Sequence, residues 1–197
     1  MAEKANALGI PAEVLDAKAT AALDPAVTMQ VCGSVFFPKD CHLTPGRFIG
    51  AVEAELLRLG VTFLWETEGK GFEVEGQALR AVKTSRGQVE GQEVVLCGGV
   101  WSSELAKELG LKIPMQAGKG YSLTLANPRQ LPELCSICTE ARLAVTPMDG
   151  ALRVGGTMEL TGIDESISQR RVRGITRAFP QYFPAFEEKD FAEVKPW

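Results

Sequence analysis

The 197-residue chain contains a single histidine, His42, and this scarcity sets the first limits. One histidine cannot supply an HxxxH metal pair, and a tetrahedral zinc needs four ligands. Five cysteines are present, at 32, 41, 97, 135 and 138. Only Cys135 and Cys138 stand at CxxC spacing, with no second pair to complete a site, so no metal is expected. No helix start is evident behind Cys135 to depress a thiol pKa, so the pair is expected as small residues on a half-buried strand rather than as a redox centre. His42 is expected in an exposed loop before a helix.

Long apolar runs are missing too. The longest stretch free of charged or strongly polar groups covers residues 94–101, far short of the roughly 20 needed to cross a bilayer. The first residues, MAEK, have no apolar h-region of the signal-peptide kind. An odd cysteine count without such a signal points to reduced thiols in a cytoplasmic setting. There is no basic excess: Lys and Arg number 21 against 25 Asp and Glu, a net charge of −4. A broad nucleic-acid surface needs clustered cations to neutralise phosphates, so none is expected. The short basic run Arg170, Arg171, Arg173 reads as a solvated helix face. What is present is an ordinary globular composition, 45% hydrophobic and 23% charged, which excludes wholesale disorder.

Patterning predicts a mixed chain. Pro11 opens a short helix over residues 10–16. Residues 28–37, rich in Val and Phe, read as one or two strands ended by Pro38. Thr44 and Pro45 start the clearest helix, with Phe48, Val52, Leu56 and Leu59 at helical spacing and Gly60 at its C′ position. A strand at 61–65 follows. Glycine-punctuated β pieces over 66–93 predict a small antiparallel meander. Residues 93–97 are a short apolar run expected to form a strand buried on both faces. A helix over 104–109 ends at Gly110. Strands are expected at 119–125, 143–146 and 151–156, the last two joined by an Asp149-Gly150 hairpin turn. Asp164 is placed to cap a last helix carrying Ile167, Arg171, Ile175 and Phe179.

The most informative stretch is VVLCGGVWS at 94–102: a strand ending in two glycines, where the lack of a Cβ lets a backbone or a flat ligand come close. It resembles the VVxAAGxWS segment of FAD-dependent oxidoreductases of the D-amino-acid oxidase superfamily. FPKDCHLTPGRF at 37–48 is similar to that family's entry into a helix. LGLKIPMQAGKGYSLT at 109–124, LRVGGTME at 152–159 with Gly162, and YFP at 182–184 resemble, in order, segments of its D-amino-acid dehydrogenases.

The resemblance implies an α+β chain, an antiparallel-sheet substrate domain interleaved with part of a Rossmann-like FAD-binding domain. Residues 1–39 and 103–197 are expected on the substrate side and 40–102 on the FAD side. It implies FAD as cofactor, with Gly98, Gly99, Trp101 and Thr67 towards it; Trp101 could equally be plain core, and the glycines a tight turn. Tyr121, Met148 and Arg153 are the substrate-side candidates, each with a bland alternative: a half-buried strand tyrosine, a hairpin end, a surface arginine. The family's carboxylate-binding Arg beside the hairpin is replaced here by Thr146-Pro147-Met148. The activity implied is oxidation of the C–N bond of an amino acid, D in configuration, to a 2-oxo acid and ammonia, with an acceptor other than oxygen, peripheral to a membrane. A 2-hydroxy acid or an N-methyl amine stays open as substrate, as does a non-catalytic docking module for a flavin-carrying subunit. GxGxxG, whose glycines and helix N-terminus hold the FAD pyrophosphate, does not occur, and the family's closing GLRP segment does not either. The chain is therefore expected to be an internal portion of a larger flavoenzyme, inactive alone, with apolar surface that favours oligomerisation.

Overall fold

The computed structural model describes residues 1–76 and 78–197; Gln77, inside the span expected for the meander, lies outside them. The chain divides into two interleaved units. The first comprises Met1–Gly50, Lys119–Glu159 and Glu165–Trp197, the second Ala51–Gly118 and Leu160–Asp164.

The first unit begins with helix α1, Ala2–Ala7, then strand β1, Glu13–Asp16, helix α2, Ala17–Leu23, and strand β2, Gly33–Phe36. The helix expected over 10–16 is thus a strand: Val14 and Leu15 pair antiparallel with Val35 and Ser34. The helix comes one segment later, where an alanine-rich run follows Asp16, whose carboxylate accepts from the Ala19 N–H at 2.7 Å. Glycine is required at 33, where a Cβ would run into the Leu15 carbonyl.

Helix α3, Pro45–Arg58, forms as the spacing predicts. Gly60 adopts φ 84°, and the N–H groups of Gly60 and Val61 close on the Leu57 and Leu56 carbonyls, a Schellman stop. In the second unit, β3 (Gly69–Glu75), β4 (Ala78–Thr84) and β5 (Gly87–Glu90) make the expected antiparallel meander. A Cβ at Gly71 would strike the Glu108 carboxylate, just beyond helix α4, Ser102–Lys107. The strands expected at 61–65 and 93–97 are not formed. A strand exists only through a ladder partner, and among the described residues neither segment has one. Val95, expected to be buried on both faces, is 84% exposed.

The core lies in the first unit. Strands β6 (Lys119–Leu125), β7 (Ser136–Cys138), β8 (Leu143–Met148) and β9 (Ala151–Glu159) form an antiparallel sheet in the order β6-β9-β8-β7. The β8–β9 hairpin turns at Asp149 and Gly150, both with positive φ, as the Asp-Gly pair predicts. Helix α5, Gln169–Tyr182, covers one face. It starts at Ser168 and not at Asp164, and it runs through Pro180. Leu123, Val145, Leu152 and Val154 from the sheet meet Ile175, Phe179, Phe183 and Phe186. Phe179 stacks on Phe183 and meets Phe186 edge-on.

Candidate functional site

Strand alternation gives the four-stranded sheet two chemically different faces. The α5 face is the aromatic and aliphatic core. The other face is half open and carries Thr124, Ala144, Thr146, Met148, Arg153 and Gly155. Arg153 sits between Thr124 and Thr146 in register. Its guanidinium lies 5.2 Å from the centre of the Trp197 ring, a cation–π contact. Trp197 is itself tied to the sheet: its N–H and C=O exchange hydrogen bonds with Ser122, at 2.9 and 2.8 Å. This is the narrow pair of an antiparallel ladder, added at the free edge of β6.

The structure therefore unites two of the three substrate-side candidates, Met148 and Arg153, on one face, and settles the side of Arg153 that spacing left open. Tyr121 is not with them. It lies on the core face, 4% exposed, its hydroxyl donating to Glu159 Oε2 at 3.0 Å and accepting from the Ser168 N–H at 3.4 Å. A phenol engaged in this way braces the fold.

Glu159 is the centre of a cluster that sequence reasoning missed. Arg171 donates to Glu159 Oε1 and to the Thr157 hydroxyl, each at 2.7 Å, and Lys119 Nζ stands 3.5 Å from Glu159 Oε2. Arg171 lies on an exposed face, as expected, and from there its guanidinium reaches the sheet. Burial alone would raise the Glu159 pKa; hydrogen bonds from Tyr121 and Arg171 and the charges of Arg171 and Lys119 outweigh it and hold the carboxyl below its ordinary value. Thr157 is the extra residue of a β-bulge, since Tyr121 pairs with Gly156 and Gly120 with Met158. Its φ of 55° is unusual for a β-branched residue, and the bulge turns its hydroxyl to the α5 side. The only signal in sequence is Thr157 and Glu159 with an arginine twelve residues after Glu159, a spacing with no local meaning.

In the second unit, Gly98 leads into a 3-10 turn, Gly99–Trp101, that runs into α4. Gly99 has φ 55°, which favours glycine, and a Cβ there would meet nothing within 4 Å. A Cβ at Gly98 would stand 3.3 Å from the Ser102 hydroxyl. Trp101 is 49% exposed and so is not plain core. The Thr67 hydroxyl donates to the Trp65 carbonyl at 3.1 Å. Open space therefore lies beside the Gly99 backbone, while Ser102 closes off the Gly98 position. The 197 residues carry no GxGxxG for a dinucleotide pyrophosphate.

Among the described residues no helix is long and apolar enough to cross a membrane. Cys138 lies on β7 as expected, and burial, with Glu140 adding, pushes its thiol up to about 11. His42 lies in an exposed loop ahead of α3.

The family model of FAD dependent oxidoreductases, DAO, matches residues 1–197, and the chain belongs to that family. It is 32% identical over 181 residues to a D-amino acid dehydrogenase of Rhizobium rhizogenes, covering 89% of this chain and 44% of that protein. A D-amino acid dehydrogenase of Helicobacter pylori is 27% identical, covering 92% and 44%. The chain thus spans under half the length of these relatives. Among solved structures, a glycine oxidase from Bacillus cereus superposes with a TM-score of 0.82 at 20% identity, covering 99% of this chain and 53% of that one. An L-proline dehydrogenase from P. horikoshii gives 0.80 at 19%, covering 98% and 53%. These structural likenesses carry the fold, and FAD is the cofactor that the family uses.

Proposed function

We propose that the chain is the substrate-side portion of an FAD-dependent oxidoreductase that converts D-amino acids to 2-oxo acids and ammonia. The observation that carries this reading is Arg153, a cation braced by Trp197 on the open sheet face between two threonine hydroxyls. Guanidinium is the side chain best suited to a carboxylate, through two parallel N–H donors. Arg153 then replaces the arginine that Thr146-Pro147-Met148 lacks. Thr124 and Thr146 offer hydroxyls beside it, and Met148 supplies an adaptable apolar wall for the side chain. FAD, when bound, would supply the hydride acceptor, and this chain's residues would hold the substrate carboxylate and orient Cα.

The second unit is assigned to the FAD side through the Gly98-Gly99 turn, Trp101 and the backbone around Thr67, and the first to the substrate side. The unpaired apolar segments at 61–65 and 93–97, with Leu64 and Trp65 more than half exposed, support a chain that works only with further flavin-binding structure. Electrons then pass to an acceptor other than oxygen, peripheral to a membrane. Similarity to proteins named dehydrogenases supports an acceptor other than oxygen.

The test is anaerobic mixing of D-alanine with the chain joined to the further flavin-binding structure it requires and loaded with FAD. Bleaching of the flavin absorbance is expected, with Arg153→Met raising the half-saturating D-alanine concentration about 100-fold, the ~2.7 kcal/mol of a lost charge-assisted pair. An unchanged value in that variant rejects Arg153 as the clamp. Bleaching by D-lactate and not D-alanine rejects the substrate class. The 197-residue chain mixed with FAD is expected to stay colourless, and a tight yellow complex that D-alanine bleaches rejects the dependence on further structure.

A further inference from the structure

We infer that Ser122 receives the amino group of the substrate whose carboxylate Arg153 holds, an assignment that rests on the reading of Arg153 above and completes it. Strand alternation puts Ser122 on the open face with Thr124, and register sets it opposite Gly155. Geometry agrees with the pattern, since a Cβ on Gly155 would stand 3.8 Å from Ser122 Cβ. Arg153 lies opposite Thr124, so it is the diagonal neighbour of Ser122, roughly 7–8 Å away across the pair. The direction of the arginine narrows that gap. Its guanidinium leans to the Trp197 ring, 5.2 Å from the ring centre, and Trp197 is the ladder partner of Ser122 at the free edge. Cation, indole and hydroxyl therefore gather at one place on the β6 edge.

The state of the Ser122 side chain points to a ligand. The residue is 5% exposed, and its hydroxyl has no hydrogen-bond partner among the described residues. It is not sealed off either: the unpaired side-chain atoms that are fully enclosed are Asp24 Oδ1 and Glu73 Oε2. A hydroxyl left unbonded with so little access to water is costly, and an N–H donated by a ligand offsets that cost. Thr124 carries the competing hydroxyl, but that residue is exposed, so water can bond it and a ligand gains little there. Gly155 keeps the approach clear, because any larger side chain at that position would stand beside Ser122 on the same face. An α-amino acid carries its carboxylate and its amine on one carbon. Clamped at Arg153, it brings its N–H groups beside the carboxylate, where Ser122 Oγ is an acceptor in need of a donor. A plain carboxylic acid leaves that hydroxyl unpaired, so the two contacts together select an amino acid.

The test is a chemical-shift titration of the full chain with D-alanine and with propionate, which lacks the amine, alongside thermal melts. D-alanine is expected to saturate with a Kd on the order of 1 mM, and propionate to bind about tenfold more weakly. In Ser122→Ala the preference is expected to vanish through weaker D-alanine binding, with propionate unchanged. The ligand-free Ser122→Ala chain is expected to melt no lower than the parent, because no internal hydrogen bond is lost. Arg153→Met is expected to weaken both ligands about 100-fold. An unchanged preference in Ser122→Ala, while Arg153→Met weakens both ligands, overturns the role of Ser122 and leaves Arg153 standing. A melting temperature lowered by several degrees in Ser122→Ala overturns it too, since the hydroxyl is then engaged within the fold. If Arg153→Met changes neither ligand, or neither ligand saturates the parent by about 50 mM, the carboxylate clamp itself fails and the role of Ser122 falls with it.

Discussion

Gly155 and Gly156 are adjacent in β9 and point to opposite faces of the sheet, which makes them a matched pair for testing how tightly α5 is seated. A Cβ on Gly156 would lie 2.7 Å from Leu143 Cδ2, 3.1 Å from the Arg142 carbonyl oxygen and 3.3 Å from Ile175 Cγ1. Leu143 and Ile175 are 2% and 1% exposed, so neither has space to retreat into, and the carbonyl belongs to the backbone of a residue at φ 55°. Overpacking of this kind costs about 1–3 kcal/mol. At about 2–4 °C per kcal/mol for a chain of this size, a cost of about 2 kcal/mol lowers the melting temperature of Gly156→Ala by about 4–8 °C. A Cβ on Gly155 would meet the Tyr121 carbonyl oxygen at 3.7 Å and Ser122 Cβ at 3.8 Å, ordinary contact distances. Neither glycine has positive φ, so alanine strains neither backbone. Gly155→Ala is therefore expected to be neutral or to stabilise by about 0.5 kcal/mol, because it restricts the unfolded chain. Thermal melts followed by near-ultraviolet circular dichroism compare the two directly. Equal effects, or a neutral Gly156→Ala, would refute close seating of α5 on β9.

The remaining predictions concern the ionisable groups and the brace. The folded-state pKa of Glu159 is depressed, so its contribution to stability is present above the ordinary carboxylate value and is lost as pH falls through the folded value. Melts between about pH 7 and about pH 3 should show an acid-side loss that is smaller in Glu159→Gln, and identical profiles would contradict the cluster. Cys138 should react with a thiol reagent at about pH 8 far more slowly than the exposed Cys32, Cys41 and Cys97, as mass-mapped labelling would show. Tyr121→Phe removes a donor to Glu159 and an acceptor for the Ser168 N–H, and urea unfolding should report a loss of about 1–2 kcal/mol.

The elements that sequence resolves by itself are those closed by local chemistry. Thr44, Pro45 and Gly60 bracket α3, glycines punctuate the meander, and Asp149-Gly150 sets the β8–β9 turn, because caps and tight turns depend on residues within one turn of each other. The two apolar segments at 61–65 and 93–97 show the limit of that reasoning. Hydrophobicity marked them as strands, but a strand is defined by its neighbour, and no described segment pairs with them. Residues 10–16 failed for the opposite reason: β2, some twenty residues away, claimed Val14 and Leu15, and Asp16 became the cap of the following helix.

The candidate site divides along the same line. The Gly-Gly turn and the strands that carry Tyr121, Met148 and Arg153 were legible as motifs. Which residues share a face was not, because register and one bulged residue decide it. Pairing across β6, β8 and β9 puts Arg153 with Met148 and sends Tyr121 to the helix side. The bulge at Thr157, with α5 arriving from the next segment of chain, builds the Glu159–Arg171 cluster that no spacing announces. Composition and motif determined the family and the kinds of element. Tertiary pairing alone decided which charges meet, because those contacts join segments that only the folded sheet and its covering helix bring within hydrogen-bond reach.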